Sequence, residues 1–409
     1  MFDAGVRKIS DRAFESCDEL QDSIFYQTTI TSLPDSMFSN CKKINDIIFS
    51  YSQITSINEK TFDGLESLES LELSNNFLLE IQENSFKNIP NLLSLNLRGN
   101  KISSIDLEVF SQLRHLKFID LSENDLKIFN TKWLENKPDL EVIRINSNGF
   151  TTLNFEFFKT LLNLTTLSLK ENNIEEMPND AFHGMPRLET LILSNMGLKE
   201  IADDFFKDNI ELTTLDLAEN EISTLVPSAF LFLESLINVY LSGNRIKSFP
   251  AFSLAKLQRL QLDKNEIEDL SPGTFSALTN LRRLILSNNK IKRLNSNAIG
   301  RLENLENLQI VENQVDEIQR NFFDNFPKLR TLMIWSNPCI HLYTSDFNPD
   351  HLSNFEECFQ NWDTPRTSSL VPSSTNGETT TITTDGASFN TNSYKILTVS
   401  IFSLIFVFL

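Results

Sequence analysis

The stretch Leu68-Glu69-Ser70-Leu71-Glu72-Leu73-Ser74-Asn75-Asn76-Phe77-Leu78 decides the fold, because Leu92 to Ile102 repeats it as LLSLNLRGNKI. Both fit L-x-x-L-x-L-x-x-N-x-L. The same frame starts at residues 20, 44, 68, 92, 116, 140, 164, 188, 212, 236, 257, 281, 305 and 329, so 12 intervals measure 24 residues and one measures 21. A phase held over that length marks a repeat array rather than a set of globular domains. The L-x-L core alternates side chains across a short strand, with Leu turned inward and the intervening residues outward. The Asn of the frame stands in 11 repeats, from Asn76 to Asn337, where the chain turns inward. Its amide offers both a donor and an acceptor to buried backbone groups that otherwise lack partners.

Outward from the frame, the residue six before each first Leu is Phe in 11 of 14 cases, from Phe14 to Phe323. Leu134, Ala251 and Ile299 fill the other three. The strict period reads as a buried aromatic spine, not as a ligand box. Thr28, Ser52 and Met196 replace the frame Asn, and the short interval loses three residues around Ser248-Phe249-Pro250-Ala251. The shorter outer segment is expected to alter local curvature.

The pattern resembles the leucine-rich repeat family, in the 24-residue form typical of extracellular proteins, over residues 1–338. The resemblance implies an α/β repeat fold: a right-handed solenoid, or horseshoe, with a parallel sheet on its concave side. It is similar to lipid-anchored insect adhesion proteins such as chaoptin and connectin, and to Toll-like ectodomains. Residues 339–363, with Cys339 and Cys358, look like a reduced form of the cysteine-bearing C-terminal cap of such proteins, which implies a Cys339–Cys358 disulfide. A zinc site adding His341 and His351 is the rival, with a Cys-x-His spacing unusual for zinc. Cys17 and Cys41 each stand three residues before a frame Leu, one repeat apart. They are expected to stack as buried thiols, with a bridge as the alternative.

The composition sets limits. Lys and Arg total 36 against 55 Asp and Glu, a net charge of −19, so no basic footprint for nucleic acid or anionic lipid is present. G-x-S-x-G, H-E-x-x-H, G-x-G-x-x-G and phosphate-cradling loops are all lacking. No catalytic residue, metal, cofactor or small-molecule substrate is expected, and the chain reads as a binder of a protein ligand or receptor. The fifth frame position runs Glu72, Asn96, Asp120, Arg144, Ser168, Ile192, Asp216, Tyr240, Gln261, Ile285, Gln309, Met333, and the seventh adds Val311 and Trp335. Beside them stand Arg259 and Arg283. Aromatic, Met and Arg side chains together are what interface centres favour. The expected partner-binding set on the concave face is therefore Tyr240, Arg259, Gln261, Arg283, Ile285, Val311, Met333 and Trp335.

The two ends bear on location. The chain opens mid-repeat with no basic, apolar leader, which reads as a truncated or mis-assigned start, with a cytosolic start as the alternative. Residues 364–395 read as a Ser/Thr-rich disordered stalk. Residues 396–409 are uncharged and apolar, and a 14-residue helix falls short of a bilayer. Asp385, Gly386 and Ala387, a polar spacer and this tail together resemble a glycosylphosphatidylinositol attachment signal. Asn163-Leu164-Thr165 is a sequon for N-glycosylation. The reading is a recognition or adhesion protein on the extracellular face of the plasma membrane; a soluble or cytosolic scaffold is the alternative.

Overall fold

A computed structural model describes residues 6–10 and 12–363. One strand follows each frame start, from Asp22–Ile24 to Thr331–Met333, and each pairs in parallel with the next. They form a 15-stranded sheet whose last strand, Tyr343–Thr344, runs antiparallel to Thr331–Met333. The register never slips: Leu71, Leu95 and Ile119 are direct partners, as are Glu72, Asn96 and Asp120. The chain is thus a right-handed solenoid with its parallel sheet on the concave side. Four-residue helical turns such as Thr131–Leu134, Phe155–Phe158 and Ser296–Ile299 lie in the segments that return the chain to the sheet.

Two ladders hold the turns together. Asn100 Nδ2 donates to the carbonyls of Leu73 (3.0 Å) and Leu97 (2.9 Å), and its Oδ1 accepts from the Leu78 N–H (3.1 Å). Each rung therefore satisfies buried backbone of its own turn and the preceding one. At the first two turns a hydroxyl pair stands in, Thr28 Oγ1 and Ser52 Oγ lying 2.8 Å apart. The residue before each frame Asn turns through the left-handed region, with φ of 51° to 58° from Ser147 to Glu171 and Gly at positions 99 and 243. The second ladder is the Phe spine, with Phe62–Phe86 and Phe86–Phe110 stacked at 6.1 and 5.8 Å.

The short interval corrects one expectation. Ala251 is exposed rather than part of the spine. With three residues missing, its neighbours swing in: Phe252 packs on Phe230 at 4.7 Å and Phe249 on Phe275 at 5.5 Å. Leu134 and Ile299 are buried in the spine.

Both ends carry a disulfide. Cys17 and Cys41 are bridged, with Cα atoms 5.0 Å apart, so the buried-thiol reading gives way. The reason is geometric: equivalent residues of successive turns sit about one strand spacing apart, within disulfide reach. Cys339 and Cys358 are also bridged. Phe355 and Phe359 of the helical segment Pro349–Asp363 are buried, Phe355 lying 4.8 Å from Phe323. Arg320 pairs with Glu356 (3.0 Å) and Asp363 (2.9 Å), fastening the helix from outside.

Candidate protein-binding face

Strand alternation turns every second side chain of the sheet away from the Leu wall, and parallel pairing lines these up in rows. One row runs Tyr240, Gln261, Ile285, Gln309, Met333 by direct register. The adjacent row runs Asn238, Arg259, Arg283, Asn307, Thr331. The fold therefore brings Tyr240, Arg259, Gln261, Arg283, Ile285 and Met333 onto one face, all half-buried. Arg259 Nη1 donates to the Tyr240 hydroxyl at 3.4 Å. Among the described residues, neither Arg259 nor Arg283 belongs to an ion pair, unlike Arg282, which reaches Glu306 at 3.3 Å.

Two positions stand apart. Val311 is buried and presents little surface; its N–H donates to Ser287 Oγ (3.1 Å). Trp335 is 42% exposed although the cap follows directly, so the cap does not consume it. What the cap covers is the backbone edge, where Tyr343 pairs with Met333. Tyr343 itself is 59% exposed and extends the outward row by one strand. Sequence reasoning missed it because the cap leaves the repeat, and phase says nothing beyond Asn337.

The centre of the face differs in kind. The Arg144 guanidinium lies over the Phe118 ring, 5.3 Å from its centroid. Asp120 is buried there, and its carboxyl is held above the usual carboxylate range by burial, against the hydrogen bonds at Ser122 and the charges of Arg144 and Arg98. Burial likewise raises Asp216. Half-buried Ile24, Ile48, Phe118, Val142 and Ile192 stand in the same outward rows, so the C-terminal strands differ in pairing Tyr240, Ile285 and Met333 with Arg259 and Arg283.

Other candidates resolve locally. Asn163 is half-buried; its Nδ2 donates to the Pro138 carbonyl (2.8 Å) and its Oδ1 accepts from Arg187 (2.5 Å). Asn91, Asn280 and Asn304 make the same contact to the preceding turn, at Glu66, Ala255 and Thr279. His341 Nδ1 accepts from the Ser336 N–H (3.1 Å), and the cysteines that a zinc site would need are taken up in the bridge. The stalk, the apolar tail and the attachment candidates Asp385, Gly386 and Ala387 lie outside the described residues.

The leucine-rich repeat family profile matches residues 27–78, 66–126, 138–198, 186–246 and 255–315, well over half of the chain. No curated protein matches it significantly in sequence. Among solved structures, a leucine-rich repeat protein of Leptospira interrogans superposes with a TM-score of 0.70 at 22% identity, covering 88% of this chain and 92% of that one. An internalin of Listeria monocytogenes gives 0.63 at 20% identity, covering 78% and 88%. Drosophila Toll, in its complex with Spatzle, gives 0.63 at 19% identity, covering 82% of this chain and 50% of that one. At these identities the likeness is one of fold.

Proposed function

The chain belongs to the leucine-rich repeat family, and we propose that it is a non-catalytic recognition module whose concave face binds a protein partner at the C-terminal strands. The observation that carries the reading is the pair of rows described above. Tyr240, Ile285, Met333 and Trp335 supply aromatic and apolar area, while Arg259 and Arg283 add cations without ion-pair partners among the described residues, in a chain of net charge −19. Such a surface fits a partner with an apolar knob beside an acidic patch, where charge complementarity sets orientation and encounter rate. Two disulfides support an oxidising setting outside the cytosol. The proposed location is the outer face of the plasma membrane, with residues 396–409 as a lipid-attachment signal cleaved near Asp385; this part rests on the sequence alone. Recovery of peptide 396–409 in mature protein from membranes would exclude the lipid anchor.

The test is the double variant Tyr240→Ala/Trp335→Ala, secreted as the folded repeat unit and applied to cells that bind the parent protein. A hot-spot pair should cost roughly 2 kcal/mol or more in binding. Unchanged binding at an unchanged melting temperature would remove the face from consideration. Arg259→Glu/Arg283→Glu should slow association and weaken its dependence on salt.

A further inference from the structure

The repeat between frame starts 116 and 140 breaks the core pattern twice. Leu134 stands where the spine carries Phe, and Lys137 stands three residues before the frame Leu. That second position is apolar and buried in the neighbouring turns: Leu113 before it, Leu161 and Met185 after. Lys137 is buried all the same, only 3% exposed. The one hydrogen bond of its ammonium among the described residues is to the Glu135 carbonyl, at 3.3 Å. Asn209, the polar residue at the same position two turns beyond Leu161, shows the usual solution: its amide donates to two buried carbonyls, Phe182 (2.9 Å) and Met185 (3.1 Å). Lys137 has no such pair of partners. Lysine is almost never fully buried unless its charge is matched.

A cavity of about 930 Å³ opens at this place, on the flank where the chain returns to the sheet. Leu134, Pro138, Phe157 and Leu161 give it apolar walls, Lys137 and Arg114 line it with positive charge, and Glu135 and Asp139 add two carboxylates to the same lining. Arg114 is exposed and has no ion pair among the described residues. The nearby His115 is already engaged by Asp139 at 3.3 Å. Burial, and then the charge of Arg114, push the Lys137 pKa down, against a smaller opposing pull from the Glu108 carboxylate. The volume lies in the range of small-molecule sites, which combine apolar walls with a few polar anchors.

We propose that this cavity binds an amphipathic organic anion, with its carboxylate between Lys137 and Arg114 and its apolar body against Leu134, Pro138, Phe157 and Leu161. The shortened side chain at 134 makes the room, and the lysine at a core position supplies the charge. The site is separate from the concave face.

Isothermal titration of the full chain with sodium octanoate, octanol and acetate tests it. Octanoate should bind saturably at one site, with octanol and acetate at least tenfold weaker. Lys137→Met, close in size and uncharged, should weaken octanoate at least tenfold while keeping or raising the melting temperature. Leu134→Phe, which restores the spine residue, should do the same by filling the space. The proposal fails if octanoate does not bind, if octanol binds as tightly, or if both folded variants keep parental affinity.

Discussion

Phe157 and Phe158 are neighbours in the chain with opposite fates. Phe158 is fully buried in the spine, while Phe157 is half-buried against its edge, with ring centroids 5.8 Å apart. Phe158→Ala should cost roughly 3–5 kcal/mol, the range for an emptied core site. Phe157→Ala should cost clearly less, and equal urea midpoints for the two variants would reject the register. Asp120 makes a second prediction. Burial raises its folded pKa despite the Ser122 N–H donating to Oδ1 (2.9 Å). The folded state then holds the proton more tightly than the unfolded one, so this carboxyl costs stability as pH rises above its unfolded value, about 3.9. Asp120→Asn keeps an acceptor for that N–H and removes the charge. Its stability relative to the parent should therefore be more favourable at pH 7 than at pH 4, read from urea midpoints. Equal differences at the two pH values would show that burial does not govern this group.

A single turn shows what the sequence discloses and what it hides. The frame Leu positions, the Asn rung and the Phe spine were legible because each recurs at a fixed offset, and periodicity survives without knowledge of contacts. Ala251 was misread for the same reason: phase assigns a role by position, whereas packing assigns it by volume, and Phe249 and Phe252 were large enough and near enough to take the space. The Cys17–Cys41 bridge was open in the sequence because spacing shows that two residues stack but not how close their Cα atoms come; the observed 5.0 Å decides it. On the candidate face, the outward rows could be read from alternation, yet alternation does not disclose the burial of Val311, and the added surface of Tyr343 depends on the cap. The Asn rung carries its own prediction. Asn172 donates to the carbonyls of Ile145 (2.9 Å) and Leu169 (2.8 Å) and accepts from the Phe150 N–H (3.1 Å), all buried. Asn172→Ala strands these backbone groups at about 1–3 kcal/mol for an unsatisfied partner. Chemical denaturation should show a larger loss than for Asn163→Ala, whose contacts are at the surface.

Across the whole repeat unit, each turn touches only its neighbours, so stability is close to a sum of turns and their interfaces, and the two terminal turns have one interface fewer. The bridges sit where that deficit falls. Cys17–Cys41 ties the first turn to the second, and Cys339–Cys358 ties the last turn to the helical cap that covers it. Surface ion pairs between turns, such as Lys42–Glu66 (3.0 Å) and Arg282–Glu306 (3.3 Å), add little each because solvent screens them. The central turns keep their Leu wall, Asn rungs and spine without help from any bridge. Reduction should therefore loosen the molecule from its ends inward. Hydrogen exchange after mild reduction should rise first at the strands Asp22–Ile24 and Thr331–Met333, while Thr166–Ser168 stays protected. Cys41→Ser should reproduce the N-terminal half of that effect and leave the C-terminal half unchanged. If reduction instead raised exchange evenly along the sheet, the turns would be one cooperative block, and the bridges would stabilise the solenoid as a whole rather than seal its ends.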